Sequence, residues 1–479
     1  MNYRIIGYIL GWVLILEALF MIPSCLVGLL YQESEITAFL LTIFICLLIG
    51  VPFAYKKPRN KVFYIREGFV TVAFSWIVMS IMGALPFLFS KTIPNVIDAL
   101  FETVSGFTTT GASILPDVES LPKCILFWRS FTHWIGGMGV LVFLLSILPE
   151  VGGSHMNLMK AESPGPSVTR LVPKVKSTAK ILYGIYMGMT VLQIILLLLG
   201  KMPLFDALTT TFGTAGTGGF GIKNDSIAGY STYIQVVVTI FMILFGINFN
   251  VYFLLFIKRS KQAFKIEELW WYLAIIGCAI LIITWNIRGL YGTIPEAFQQ
   301  SAFQVASIIT TTGFATTDFN IWPQASRTIL VMLMFVGACA GSTGGGIKVS
   351  RFVILLKTVN KELHQFLHPK SVKKIKMDGK MVEHEVVRST NVFMITYILI
   401  FSFSILLLAF DNHDLITNFT AVAATFNNIG PGLELVGPAS NFSIFSGGAK
   451  LVLTFDMLAG RLEIFPLLLL FVKDTWKKF

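Results

Sequence analysis

The stretch Thr108-Thr109-Thr110-Gly111-Ala112, TTTGA, returns at 310–314 as TTTGF. Three hydroxyls and a glycine in a row give nothing to a lipid-facing helix, yet the surrounding chain is apolar throughout. Hydrophobic residues fill 55% of its 479 positions and charged ones only 13%, and the mean hydropathy is +0.75. Such a balance cannot cover a soluble surface; it is the composition of a polytopic membrane protein. Several apolar runs exceed the roughly 20 residues needed to cross the hydrocarbon core.

Outward from TTTG, each copy follows a stretch of helical length too short to span. NVIDALFETVSGFTTTGAS begins at Asn95 and EAFQQSAFQVASIITTTGFAT at Glu296. Two less obvious relatives share the layout: LFDALTTTFGTAGTGGFG from Leu204 and LITNFTAVAATFNNIGPG from Leu415. Aligned, they put Gly111, Gly219, Gly313 and Gly430 in one column. Thr109, Thr217, Thr311 and Asn428 stand two before it, and Ser105, Gly213, Ser307 and Ala424 six before it. The glycine spacings of 108, 94 and 117 residues describe a diverged repeat and not a solenoid.

The expected fold is therefore an all-α polytopic membrane protein with ten spanning helices. Two N-terminal helices (1–60) precede four pseudo-repeated helix–pore loop–helix modules around one pore. The modules occupy 61–150, 170–260, 265–360 and 389–479, with a basic cytoplasmic hairpin at 361–388. The apolar run from Ile5 to about Leu30 lacks a small-residue cleavage site and is read as a retained helix. Basic residues gather in alternate loops (Lys56 to Lys61, Lys160 to Lys180, Lys258 to Lys265, Lys348 to Arg388, Lys473 to Lys478), which by the positive-inside rule puts both termini in the cytoplasm. The net charge of +11 thus reads as topology, not as nucleic-acid binding. Five scattered cysteines have neither metal-ligand nor redox spacing.

Non-helical backbone at membrane depth is tolerated only where protein buries it or where it lines a watery cavity. Four re-entrant turns can meet on one axis, and glycine allows the backbone angles that aim carbonyls inward. A ring of carbonyls replaces the hydration shell of a monovalent cation. A single Thr/Gly cluster would read as an ordinary loop; four in register, each after a half-span helix, read as an ion path. The expected cation-binding residues, the filter that the resemblance below assigns to potassium, are Thr109, Thr110, Gly111, Thr217, Gly218, Gly219, Thr311, Thr312, Gly313, Asn428, Ile429 and Gly430.

The last helix of the third module would run from about 326 to 358, roughly 48 Å if continuous. Its middle, Gly341-Ser342-Thr343-Gly344-Gly345-Gly346, is a poor helix former, so a helix–loop–helix with the loop in the membrane is expected as a gate. Close helix packing through small residues is the competing account. GSTGGGIK is no phosphate loop, because Ile347 separates Gly346 from Lys348 and no strand precedes it. Arg461 lies inside an apolar run, where a charge is expensive and marks a functional position; an ion pair with Asp456 or another module's acid is the alternative. Arg129 and His133, four apart, either brace the turn from behind or form a satisfied interfacial pair.

These features resemble the Trk/Ktr/HKT superfamily of cation uptake proteins, closest to the bacterial TrkH type. WRSFTHWIGGMGV at 128–140, KAESPGP at 160–166, GSTGGGIKVSR at 341–351, NNIGPG at 427–432 and AGRLEIFP at 459–466 carry the resemblance, which covers nearly the whole chain. It implies a potassium-selective pore within one chain of the bacterial cytoplasmic membrane. It also implies an arginine, here Arg461, that faces the pore below the filter and engages the gate loop. A serine at the first filter column goes with sodium permeation in some plant members; glycine stands there in this chain. The second and fourth turns, GTGG and NNIG, depart from the threonine pattern and leave the ring asymmetric. The resemblance further implies a homodimer gated by a cytoplasmic, TrkA-like nucleotide-binding ring. That ring would dock on the basic hairpin and tail, which also suit acidic membrane lipids. No Ser/His, paired-Asp or zinc constellation argues for an enzyme. The cation is cargo and no organic cofactor is expected. A secondary transporter coupling potassium to proton or sodium is the nearer rival; modules of one orientation argue against inverted-repeat rocking.

Overall fold

The computed structural model describes residues 1–56, 58, 64–139, 175–371 and 373–477. The end of the first module's second helix, the KAESPGP motif and part of the basic loops lie outside them. Apart from one two-stranded hairpin, the regular elements among the described residues are helices. An N-terminal pair, Tyr3–Tyr31 and Ile36–Tyr55, packs closely because Gly11 and Gly50 face one another. A Cβ on Gly11 would stand 2.7 Å from the Gly50 carbonyl oxygen. The pair is fixed to the rest by Glu33, whose carboxylate accepts from the Lys123 and Cys124 amides at 2.6 and 2.8 Å. Trp128 joins the two parts in the core, edge-on to both Phe39 and Phe107.

After the pair, one pattern occurs four times. Long first helices (Ile65–Phe89, Val175–Leu199, Glu267–Ile287, His384–Leu408) lead to half-span helices Val96–Phe107, Leu204–Gly216, Ile294–Ile309 and Leu415–Phe426. Local chemistry starts the half-helices. Asn95 Oδ1 accepts from the Ile97 amide at 2.8 Å, and Asp414 Oδ2 accepts from the Thr417 amide at 2.9 Å. Pro203 precedes the second half-helix, whose first turn holds Asp206.

The second helices differ from expectation. Only the third was expected to break, yet all four stop at Gly137, Phe245, Val336 and Arg461. In the second repeat, Thr232–Phe245 and Phe249–Phe256 meet at 90°. In the fourth, Glu463 and Ile464 take positive φ of 53° and 71° directly after the helix. The expected count of ten crossings is accordingly not seen as ten long helices. Among the described residues six helices are long and apolar enough to span, or seven if the bent pair is one span. The expected hairpin forms: Lys376 pairs with Met381 and Met377 with Lys380 around Asp378-Gly379, both at positive φ. It rests on the start of Glu267–Ile287, where the Glu267 amide donates to Asp378 Oδ1 at 2.7 Å.

Candidate functional site

The four turns share one backbone design. Each half-helix ends with an amide reaching back to the small-residue column. Thr110, Gly218, Thr312 and Ile429 donate to the carbonyls of Ser105, Gly213, Ser307 and Ala424 at 2.8 to 2.9 Å. The residue before each of these amides is left-handed, with φ of 56° at Thr109, 56° at Thr217, 59° at Thr311 and 56° at Asn428. This is a Schellman-type stop, which ordinarily carries glycine at its left-handed position. Three β-branched threonines there are backbone outliers and store strain. The column glycines are again left-handed, at 81°, 76°, 83° and 100°. Left-handed, ordinary, left-handed is thus the repeated conformation, with glycine where the chain has least room.

That lack of room shows how the turns meet. A Cβ on Gly111 would collide with the carbonyl oxygen of Gly218, one on Gly219 with that of Thr312, and one on Gly313 with that of Ile429. On Gly430 it would stand 2.9 Å from the Thr110 carbonyl oxygen, which closes the circle. Each turn packs its glycine on the next turn's preceding carbonyl, in the order first, second, third, fourth, first. All four seams are hydrogen-bonded above the turns. The Val118 amide donates to Asn224 Oδ1 at 2.9 Å, and the Ile227 amide to the Ala315 carbonyl at 3.0 Å. The Glu434 amide donates to Asn320 Oδ1 at 3.0 Å, and the Phe442 amide to the Ser113 carbonyl at 2.8 Å. Asn224 also donates to Asp117, which holds that exposed carboxyl below the usual carboxylate range. All four column glycines open onto one cavity of about 180 Å³.

Arg129 and His133 both serve the turns. Arg129 and Glu102, each about 1% exposed, form an ion pair at 2.7 Å behind the first turn. Glu102 also accepts from Ser113 Oγ at 3.0 Å and the Ile114 amide at 3.0 Å, while Arg129 donates to the Gly221 carbonyl at 3.3 Å. His133 Nδ1 lies 2.7 Å from the Gly106 carbonyl and Nε2 accepts from the Phe220 amide at 3.2 Å, which assigns a neutral ring. First and second turns are thereby tied from behind. Glu102 was missed from sequence although it is legible there: it shares a column with Thr210, Gln304 and Ala421, nine before the glycines. Gln304 does the corresponding work in the third repeat, donating to Thr316 Oγ1 at 3.3 Å. Arg129→Gln, which leaves Glu102 buried without its partner, is expected to cost about 3–5 kcal/mol. The double change Glu102→Met/Arg129→Met should cost clearly less. Thermal unfolding in detergent compares the two, and equal losses would contradict the account.

The stretch 337–348 is non-helical, between Gln324–Val336 and Val349–Leu367, and lies directly beneath the turns. Thr311 Oγ1 accepts from the Gly345 amide at 2.6 Å. A Cβ on Gly344 would stand 2.9 Å from the Thr310 carbonyl oxygen, and one on Gly345 2.6 Å from that of Asn427. Thr343, Gly344 and Gly345 are buried, Ser342 and Gly346 half-buried, and Gly341 is exposed. The first part of the loop is seated on the second repeat's break: Cys339 donates to the Gly246 carbonyl at 3.1 Å and Phe249 to that of Gly341 at 3.0 Å. Arg461 does not pair with Asp456, whose Oδ1 accepts from Ser404 Oγ at 2.8 Å. Instead it donates to the carbonyl of Thr343 at 2.9 Å, to that of Gly137 at 2.9 Å and to that of Gly136. Third and first repeats are opposite in the ring, so this side chain of the fourth links the two. Glu463 pairs with Arg351, and Lys348 bonds the Gly344 carbonyl. Sequence reading missed Lys348, Gly136 and Gly137 as parts of this layer. Thr109 Oγ1 and Asn428 Oδ1, both buried beside it, find no hydrogen-bond partner among the described residues.

Comparison with known proteins agrees across the whole chain. The family described as TrkH, cation transport protein, matches residues 35–478. The Trk system potassium uptake protein TrkH of Salmonella typhimurium is 38% identical over 487 residues, covering all of both chains. TrkG of Escherichia coli, of the same system, is 35% identical over 99% of each chain. Among solved structures, the potassium transporter TrkH from Vibrio parahaemolyticus superposes with a TM-score of 0.89 at 34% identity, with 100% of both chains covered.

Proposed function

The chain belongs to the TrkH family of cation transport proteins, a family of transporters and not of enzymes, and from that premise we propose that it takes up potassium through the ring of four turns. The observation that carries the reading is the cyclic closure of the turns, glycine on carbonyl, with an intramembrane loop packed beneath. Alternating backbone handedness suits successive carbonyls turned to one side of each turn, where toward the axis they would substitute for hydration water. The four half-helices end at the ring, so their carboxyl-end partial charges favour a cation there. The unpartnered Thr109 Oγ1 and Asn428 Oδ1 add acceptors at the inner end. By the resemblance to that superfamily, glycine rather than serine at the first column goes with potassium over sodium.

Beneath the ring, Gly344 to Gly346 act as the gate and Arg461 as its latch. The guanidinium holds the loop to the opposite wall and repels a cation descending the axis. The distribution of basic residues supports a cytoplasmic position for the 376–381 hairpin and both termini, in a bacterial inner membrane. The relatives' names place them in a Trk system; this chain accordingly works with other Trk components. A homodimer gated by a TrkA-like nucleotide-binding ring, docked on the 376–381 hairpin and the tail, fits the exposed basic surface. Deleting Gly344 to Gly346 is the test of the gate. Basal rubidium flux into liposomes should rise several-fold, whereas loss of flux in a correctly folded protein would return the glycines to a packing role.

A further inference from the structure

Glu268 sits in the first turn of Glu267–Ile287 and is only 2% exposed. Its Oε1 accepts two amides from opposite ends of the intramembrane loop: Ala340 at 2.7 Å and Ser350 at 3.0 Å. Ser350 belongs to the first turn of Val349–Leu367, whose amides have no partner within their own helix. A carboxylate there is favoured by the helix dipole as well as by the hydrogen bond. One oxygen therefore closes the base of the 341–348 segment and caps the helix below it. Neighbouring bonds complete the base, with Val349 donating to the Ala338 carbonyl at 3.1 Å.

We propose that Glu268 is a positioning residue for the gate, the staple that sets the loop in its blocking place. The proposal rests on the gate reading above. Without the carboxylate, the closed loop holds two buried amides with no acceptor, a penalty that opening toward water relieves. The equilibrium then moves to the open side. A neutral side chain with its amide oxygen in the same place still accepts both amides and should keep most of the closure.

The test uses the full-length protein in liposomes, restricted to variants that elute as the wild type does. Glu268→Ala is expected to raise basal rubidium flux on the order of tenfold, while Glu268→Gln stays within about twofold of wild type. A small charged thiol reagent reports the loop itself through Cys339, which is fully buried; peptide mapping separates it from the exposed Cys278. Labelling of Cys339 should speed up in Glu268→Ala alongside flux. Should that variant not fold, Glu268→Asp replaces it, since losing one methylene prevents its carboxylate from reaching both amides. Flux unchanged in the folded variant, or equal effects of Ala and Gln, overturns the proposal. Measured beside the 344–346 deletion, the two readings separate. Flux raised by the deletion alone removes Glu268 and leaves the gate standing; flux raised by neither removes both.

Discussion

Gly111→Ser is expected to lower the potassium-over-sodium flux ratio by roughly tenfold or more, because the ring cannot keep its shape around a side chain there. Gly111 has φ of 81°, a conformation L residues rarely adopt. A Cβ would also overlap the Gly218 carbonyl oxygen, which is backbone and cannot rotate away as a side-chain tip would. Either the first turn leaves its left-handed angle or the second turn retreats. Both change the spacing of the carbonyls proposed to take the place of hydration water. Gly430→Ser should be milder, since its Cβ would stand 2.9 Å from the nearest atom. Competition of sodium against rubidium uptake measures both, and an unchanged ratio in folded Gly111→Ser would count directly against the ring as the selective element.

Arg461→Ala should raise basal flux by about ten- to a hundredfold, the range expected when the closed loop loses its charge-assisted hydrogen bond at Thr343, worth roughly 1.5–3 kcal/mol. The guanidinium contacts Thr343 in the loop and Gly137 on the opposite wall, with Trp76 at 5.8 Å from its carbon. Removing it frees the loop and takes a positive charge from the cation path, two effects of the same sign. Arg461→Lys should fall between, because a point charge on a flexible stem cannot hold both walls in one planar fork. Flux equal to wild type in Arg461→Ala would make the residue a structural tie and nothing more.

The glycine column and the polar column two before it were legible because each position has one demanding conformation. Every turn needs left-handed backbone at both, and four copies exposed the pattern that one would have hidden. The third repeat's broken helix was legible for a related reason, since 341–346 offer almost nothing that favours a helix. The breaks after Phe245 and Arg461 were not. Gly246-Ile247-Asn248 and Leu462-Glu463-Ile464 look like ordinary helix in sequence. What breaks them is tertiary: the loop is seated on the Gly246 carbonyl, and Glu463 is drawn out to Arg351. In the second repeat the run that was read as one span is two helices at 90°. Glu268 stayed hidden because an acid beside Glu267 at a helix start does not reveal which distant amides it serves.

The most direct test of the four-turn ring as a potassium path is radioactive rubidium uptake into potassium-loaded liposomes containing the purified chain. It is run with and without a proton gradient and with sodium or potassium as competitor. Uptake that needs no proton or sodium gradient, and that external potassium suppresses far better than sodium, is the expected result. Uptake that requires a proton or sodium gradient, or that sodium suppresses as well as potassium does, would contradict it.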